Sequence, residues 1–532
     1  MSTALTTRSI TAILLALSLA ACGGSSGGDG GNDNNPPTPT EPDPTPNPNP
    51  DPTPDPDPDP VEVTIGGAIV VPDGAQVDTA ARTRAKLALA RPKAVAAANS
   101  TCPDVPTGYA PVANAAISFT TADEQVSGVT AQTDECGVFS ATVPANIAYV
   151  TATATGYKVM TVPASTFDPS ADNTPPALSI LPDVADAGYE IASLQWSDSK
   201  LYFTIVDTIT NKAVLGVPQT AVSYSVNGAN PNDLKSLAYA ASQVDGNASI
   251  ALALDGSSSM DSWVRDSDGN VVMDENGRSL NALRMTARAA HTFLDGKRAT
   301  DEVGFVIFDH KVSWIDRTFL EERPLVSGSD DVPVDYTISY DDSGFNTSAD
   351  NLRLTVDQYN RYSAFWNKGG SILDELHPTL PATLRFKSWT YYPWYGATAA
   401  YGAADMGREK VLARNNARKI VVLMSDGDDN SSRLSADELI ANFKQDNIPL
   451  WTVAFGTGVS EDILKRIADE TGGHYISSVD QSQLQAEFAA MQTGIVFQYI
   501  AELQQSTLPA NTTLKVDLNF GSLSASRSVV LQ

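Results

Sequence analysis

The most abrupt change in hydrophobic patterning along the chain comes at Ala248–Asp255, ASIALALD, an apolar run that stops on a carboxylate and is followed by Ser257 and Ser259. A run without alternation is what a strand buried on both faces requires, so it predicts the central strand of a parallel sheet. Between residues 246 and 496 such runs alternate with helical periodicity. SLNALRMTARAAHTFL predicts a helix, and EVGFVIFD and KVSWID predict strands, the latter at an antiparallel edge. WYGATAAYGAA places Thr398 just ahead of a small-residue helix, and KIVVLMSD is a second buried strand, ending on Asp426. SADELIANFKQD predicts a helix whose Ser435 and Glu438 have capping-box spacing, and IPLWTVAFGTG, SEDILKRIADETGGHYISS and DQSQLQAEFAAM complete the alternation. The order of elements predicts a doubly wound α/β domain.

On both sides of this region the pattern changes to period two. In residues 61–182 the pieces PVANAAISFTT, TDECGVFSATVP and YVTATATGYKV read as strands of a small antiparallel sandwich. Residues 188–245 and 497–532 have the same character, but neither is long enough for a full sandwich. They are expected to pair with each other, with 246–496 inserted between them and both of its ends on one side. Three stretches fit no strand or helix of these units. Residues 261–279, DSWVRDSDGNVVMDENGRS, predict a hairpin with two turns; DSDGN resembles a calcium loop but lacks the downstream Glu. Residues 319–395 are rich in Tyr and include Trp366, Trp389, Trp394 and Tyr395 directly ahead of Thr398, which suits a partner-recognition surface and equally a small core of its own. Between Thr79 and Ala98 the basic run RTRAKLALARPK fits a short helix, a disordered loop or a protease-sensitive site.

The N-terminal part has no core-forming pattern. Pro36–Pro60 alternates Pro with polar or acidic residues, which favours extended polyproline II and a disordered stalk of roughly 78 Å at about 3.1 Å per residue. Ahead of it, Arg8 and the apolar run Ile10–Ala21 are too short for a lasting membrane span and fit an export signal over residues 1–21. Leu19-Ala20-Ala21-Cys22 resembles the bacterial lipobox, which implies that Cys22 becomes the lipidated first residue, palmitate-like chains included, of a tether over residues 22–60. The alternative is an ordinary cleaved signal with an incidental Cys. Gly23 stands where Asp would suggest inner-membrane retention, so the resemblance points to an outer-membrane lipoprotein, periplasmic or surface-exposed.

Charge and cysteine count narrow the function classes. A formal charge of −28 over 532 residues excludes nucleic acid as the expected partner, because a phosphate backbone needs clustered Lys and Arg. Of three cysteines, Cys102 and Cys136 remain once Cys22 is lipidated. In an oxidising compartment they can form a disulfide, contributing about 3 to 4 kcal/mol in the chain-entropy model, or they can remain two thiols. The four His residues, His291, His310, His377 and His474, have no metal-ligand spacing, and structural roles suit His310 and His474 at strand edges. Asp428 and Asp429 read as a solvated loop.

The chemistry concentrates in five oxygen-bearing residues, Asp255, Ser257, Ser259, Thr398 and Asp426, on loops that a parallel sheet gathers at one edge. The region resembles a von Willebrand factor type A domain with a complete metal-ion-dependent adhesion site, although Ser258 stands where Gly is frequent. The resemblance implies that these five hold Mg²⁺ (or Mn²⁺ or Ca²⁺), the hydroxyls leaving the ion electrophilic enough to take an acidic side chain from a protein partner. Thr318, nearer in sequence to the first strand, lacks the context of Thr398. Residues 61–182 resemble a carboxypeptidase regulatory-like domain. The expected whole is a multidomain chain in which all-β sandwiches flank the α/β domain, held to a membrane by its N-terminal lipid and acting as an adhesion or protein-binding module. A periplasmic assembly or scaffold factor with the same site is the alternative, and a metal-assisted hydrolase a more distant one. No catalytic residue is nominated, because no base or nucleophile is evident beside the site.

Overall fold

The computed structural model describes residues 61–77, 102–103, 105–167, 176–243, 246–266, 268–273, 277, 279–318, 340, 342–362, 398–456, 460–478 and 483–531. The readings made for residues 1–60, including Cys22, for 79–98, and for Trp366, Trp389, Trp394 and Tyr395 lie outside the described residues.

Ala248–Asp255 is strand β1 and is buried along its whole length. After it come α1 Ala282–Gly296, β2 Glu302–Phe308, β3 Val312–Trp314, α2 Ala349–Tyr362, α3 Ala400–Leu412 and β4 Arg418–Ser425. The series continues with α4 Ala436–Gln445, β5 Leu450–Phe455, α5 Glu461–Thr471, β6 Tyr475–Ser478 and α6 Leu484–Val496. The sheet order is β3-β2-β1-β4-β5-β6, parallel throughout except for β3, which closes one edge antiparallel to β2. Chain direction across the sheet reverses between β1 and β4. At such a switch point the loops diverge and open a crevice beyond the carboxyl ends of the strands.

Side chains along β1 alternate between two cores. Ile250, Leu252 and Leu254 share one with Met285 and Phe293 of α1 and Phe488 and Ile495 of α6. Ala251 and Ala253 face the other, with Ala400, Ala403 and Ala404 of α3, Leu439 and Phe443 of α4, and Ile467 of α5. The small residues matter here: a methyl group at Gly407 would meet Val421 Cγ1 at 3.1 Å and Ala251 Cβ at 3.2 Å, so α3 lies close on the sheet. Helix ends follow local chemistry as well. Asn281 accepts from the Arg284 N–H at 3.0 Å to start α1, Ser435 and Glu438 form a reciprocal capping box on α4, and α5 stops at Gly472 with φ +77°.

Among the described residues, the segments flanking the α/β region form four further sheets. Lys200–Asp207 pairs with Tyr189–Ser197 and with Tyr499–Glu502, which also pairs with Ser236–Tyr239. Val222–Val226 pairs with Asn232–Asp233 and with Thr513–Phe520, and the latter pairs with Leu523–Val530. Strands before residue 246 thus hydrogen-bond to strands after 496. In residues 61–182, Glu62–Pro72 pairs with Tyr109–Pro111, Val138–Pro144 and Ala177–Ser179, while Ala116–Thr121 pairs with Val126–Gln132 and Ile147–Thr153, the last also with Met160–Pro163. One hydrophobic core runs from Ile65 to Phe520 without a break at 182–188. Across that point Ser179 donates its N–H to Leu215 O at 3.1 Å and its hydroxyl accepts from Leu215 N at 3.0 Å. Cys102 and Cys136 are joined as a disulfide, Cα to Cα 5.3 Å. Among the described residues no helix is long and apolar enough to cross a membrane.

Two arginines, Arg418 buried and Arg527 half-buried, hold the α/β region on the β-rich part. Arg418, at the start of β4, donates to Gln498 Oε1 at 2.8 Å and to the carbonyls of Gly246 and Ile495, which lie at the two ends of the insertion. Arg527 donates to Ala192 O and Gly473 O, each at 2.6 Å, and to Ile191 O at 3.1 Å. Burial lowers the guanidinium of Arg418 to about 10.

Candidate functional site

At the switch point β1 ends on Asp255 and β4 ends one residue before Asp426; the register, which pairs Leu254 with Met424, brings both carboxylates to the same edge of the sheet. Asp255 is fully buried. Its Oδ1 accepts from the Ser257 N–H at 2.8 Å, which turns the chain sharply after the strand, and its Oδ2 accepts from the Ser425 hydroxyl at 2.6 Å. Ser257 and Ser259 hydroxyls lie 2.8 Å apart, and Ser259 donates to Asp426 Oδ1 at 2.6 Å. Four of the five expected residues are therefore linked through hydrogen bonds within one cluster.

Thr398 reaches the same place from the loop ahead of α3. A methyl group placed on Gly427 would be 3.8 Å from Thr398 Oγ1 and 3.9 Å from Ser259 Oγ, so the two hydroxyls flank one point. The loop is held from both sides. Asn430 accepts the Thr398 N–H through Oδ1 at 2.7 Å and returns its own N–H to Thr398 O at 3.0 Å, while Ala399 N donates to Asp309 O at 2.6 Å. Thr318 is exposed just after β3 and none of its atoms enters this network.

Several braces were not foreseen from the sequence. Asp429, expected to lie in a solvated loop, accepts from the Tyr401 N–H at 2.9 Å and from Ser432 N at 3.1 Å, and Ser432 Oγ accepts from Gly402 N at 2.8 Å. Together they satisfy the opening N–H groups of α3, whose own N-cap Ala399 has no side chain able to do so. Asp428 accepts from Ser460 N at 2.5 Å and Ser460 Oγ at 2.9 Å, fixing the same loop to the start of α5. Ser425 is the least conspicuous of these residues in the sequence and the one in direct contact with Asp255. The hairpin expected at 261–279 is present as short bridges, Trp263 to Asn281, Arg265 to Val271 and Met273 to Ser279. Among the described histidines, His310 bonds the buried Asp309 at 2.8 Å, and His474 is buried against Trp451, pushed down to about 3 by burial and by Arg527.

Burial pushes Asp255 up, with hydrogen bonds from Ser425 and Ser257 opposing it. Burial also pushes Asp426 up, to about 7, and the charge of Asp255 adds to the effect. Two carboxylates held together against their preference for water, ringed by neutral hydroxyls, suit a compact divalent cation bound through oxygen, which would offset both charges. Among the described residues no group of three or more His, Cys, Asp or Glu is set to hold a metal. A site here would depend on its hydroxyls, which favours Mg²⁺ or Mn²⁺ over a softer ion.

Residues 395–490 match the family model of the von Willebrand factor type A domain, a span that takes in Thr398 and Asp426 and begins after Asp255. No curated protein matches the chain. Among solved structures, proximal thread matrix protein 1 from the mussel byssus is 15% identical with a TM-score of 0.28, over 47% of this chain and 48% of that one. The present chain thus spans about half the length of the mussel protein, which has also been solved with a zinc-occupied MIDAS motif. An aerotolerance-related membrane protein from Bacteroides fragilis is 14% identical with a TM-score of 0.29, over 47% of this chain and 98% of that one. A von Willebrand factor type A structure from Catenulispora acidiphila is 10% identical with a TM-score of 0.29, over 66% of this chain and 75% of that one. Residues 395–490 are thus part of a von Willebrand factor type A domain.

Proposed function

We propose that this protein is a cell-envelope-anchored module that binds a protein partner through a divalent cation, the cation taking an acidic side chain of that partner. The observation that carries the reading is the convergence of Asp255, Ser257, Ser259 and Asp426 at the switch point of the sheet, with Thr398 braced beside them. Asp255 and Asp426 would balance the ion's charge, and the three hydroxyls would complete the protein's share of its oxygens. When bound, the cation supplies an electrophilic position open to a carboxylate. The chain's own part is to hold the donors in register: Ser425 orients Asp255, Asn430 and Asp309 hold the Thr398 loop, and Asp429 and Ser432 anchor α3 beneath it. Nothing in the constellation is placed as a nucleophile or general base, so the reading is binding and not turnover. Lipidation at Cys22 and a stalk over Pro36–Pro60 would keep residues 61–532, the α/β domain at 246–496 included, away from an outer membrane.

The test is a calorimetric Mg²⁺ titration of the full chain and of Asp255→Ala. One Mg²⁺ bound by the wild type and none by the variant is the expected result; equal binding by both would refute the assignment. Partner capture should then disappear with EDTA and return with Mg²⁺. In cells, Cys22→Ser should move the protein out of the membrane fraction, and unchanged fractionation would remove the anchor.

A further inference from the structure

Between the Ser259 turn and α1 the chain folds into a small β unit that the parallel sheet does not need. Val264 donates to Leu280 O, Val272 to Val264 O and Leu280 to Val272 O, each at 2.9 Å. Alternation gives the unit two faces. Val264 and Leu280 are buried and, with Val272, pack against the core that contains Met260. Their neighbours Trp263 and Met273 are 38% and 54% exposed. Trp263 is bridged to Asn281 and Met273 to Ser279, so by alternation the indole and the thioether lie on the side of their strands opposite Val264, Val272 and Leu280, where both are exposed although Asn281 itself is buried. An outward face of a surface hairpin is ordinarily polar. This one carries two residue types enriched where proteins meet.

The ledge is also tied to the candidate ligand turn. Ser262 N donates to Ser259 O at 2.9 Å and Ala282 N donates to Ser262 O at 2.9 Å, so the unit is held to Ser259 at one end and to α1 at the other. We propose that the Trp263/Met273 ledge selects the partner by taking an apolar side chain from the same segment whose carboxylate the cation takes. This rests on the metal-site reading above. Charge complementarity specifies the carboxylate, since a dication flanked by neutral hydroxyls attracts an acidic oxygen. Exposed apolar surface beginning four residues past Ser259 specifies its neighbour, because an extended peptide advances about 3.3 Å per residue and covers that distance in a few positions. The occupant is an extended acidic segment with an aliphatic or aromatic residue within about four positions of its Asp or Glu.

The experiment uses the full chain and immobilised synthetic peptides of Gly and Ser carrying one Asp, alone or with a Phe walked through each neighbouring position, in Mg²⁺ and in EDTA. The wild type is expected to retain Asp–Phe peptides at one spacing at least about tenfold better than Asp alone, and only in Mg²⁺. Trp263→Ser with Met273→Ser should lose that preference while keeping Mg²⁺ affinity and the Asp-only signal. Should the double variant not fold, Met273→Ser alone, at the more exposed position, carries the same readouts. Mg²⁺-dependent retention of every Asp peptide regardless of Phe overturns the ledge and leaves the metal site standing. Absence of Mg²⁺ binding removes both. Mg²⁺ binding with no peptide retained overturns the ledge, as does a dimer that forms without metal and dissolves in the double variant, which would make the ledge a contact between two copies of the chain.

Discussion

Replacing Arg418 with Met should destabilise the protein by about 1.5 to 6 kcal/mol. The guanidinium donates to three acceptors, the carbonyls of Gly246 and Ile495 and the Gln498 side chain, from a fully buried position. Hydrogen bonds from a charged donor contribute about 1.5 to 3 kcal/mol each, so removing three costs about 4.5 to 9 kcal/mol before compensation. Compensation comes from burial. The fall of the guanidinium to about 10 corresponds to roughly 3 kcal/mol of penalty on the charged form, and Met does not carry it. Met fills a similar volume, so little of the net loss would come from a cavity. Urea unfolding followed by tryptophan fluorescence and far-ultraviolet circular dichroism gives the free energy directly. Lysine at the same position, a point charge unable to reach three acceptors at once, should fall between the two. A Met variant as stable as the wild type, or more so, would refute the reasoning and place Arg418 among buried charges that a hydrophobe replaces without loss.

Ser425→Ala removes the 2.6 Å hydrogen bond to Asp255 and should weaken Mg²⁺ binding by about tenfold or more; Thr398→Ala should weaken it too, and Thr318→Ala should leave the titration unchanged. Glu487, half-buried on α6 near Asn211, Lys212 and Asp207, is pushed up to about 7 by burial. The folded chain therefore holds a proton that the unfolded chain releases, so stability declines as pH rises from the ordinary carboxylate range to about 7, by at most about 3 kcal/mol. Glu487→Gln should flatten that decline in urea midpoints taken at pH 5 and pH 8, and an unchanged slope would assign it to another group. Cys136→Ser should cost about 2 to 4 kcal/mol in non-reducing urea titrations, a loss that dithiothreitol reproduces in the wild type and does not deepen in the variant.

The two strands that carry the carboxylates were legible because a strand buried on both faces must be an unbroken apolar run, and ALALD and VVLMSD are such runs, each ending on an Asp. The place of the loop that carries Thr398 was legible for a related reason: a helix pressed onto a sheet needs a face of small residues, and Ala400, Ala403, Ala404 and Gly407 marked that helix. The braces were not legible. Asp428, Asp429, Asn430 and Ser432 form a run whose composition is that of any hydrated turn, and their partners on α3 and α5 are adjacent only after folding. Ser425 is one polar residue at the end of an apolar strand, and its role exists only because β1 is its neighbour. In the β-rich part, alternation marked strands and chain order suggested that 188–245 pairs with 497–532, but the link between these segments and 61–182 was not legible. The parallel pairing of Ala177–Ser179 with Glu62–Pro72, and the single core spanning residue 182, depend on contacts between distant segments that period two does not encode.

The clamp of Arg418 on Gly246 has a mechanical side. Strand β1 begins two residues beyond Gly246 and ends on Asp255, so the anchorage of the α/β domain and its carboxylate edge are opposite ends of one strand about 26 Å long. Tension applied at Asp255 runs lengthwise down that strand to its root. Both neighbours, β2 and β4, are in parallel register with nearly all of it, from Ser249 to Asp255 on one side and from Ala248 to Leu254 on the other. The ladder is then loaded in shear, its hydrogen bonds lying across the pull and having to give way together, where a strand peeled from one end would lose them one at a time.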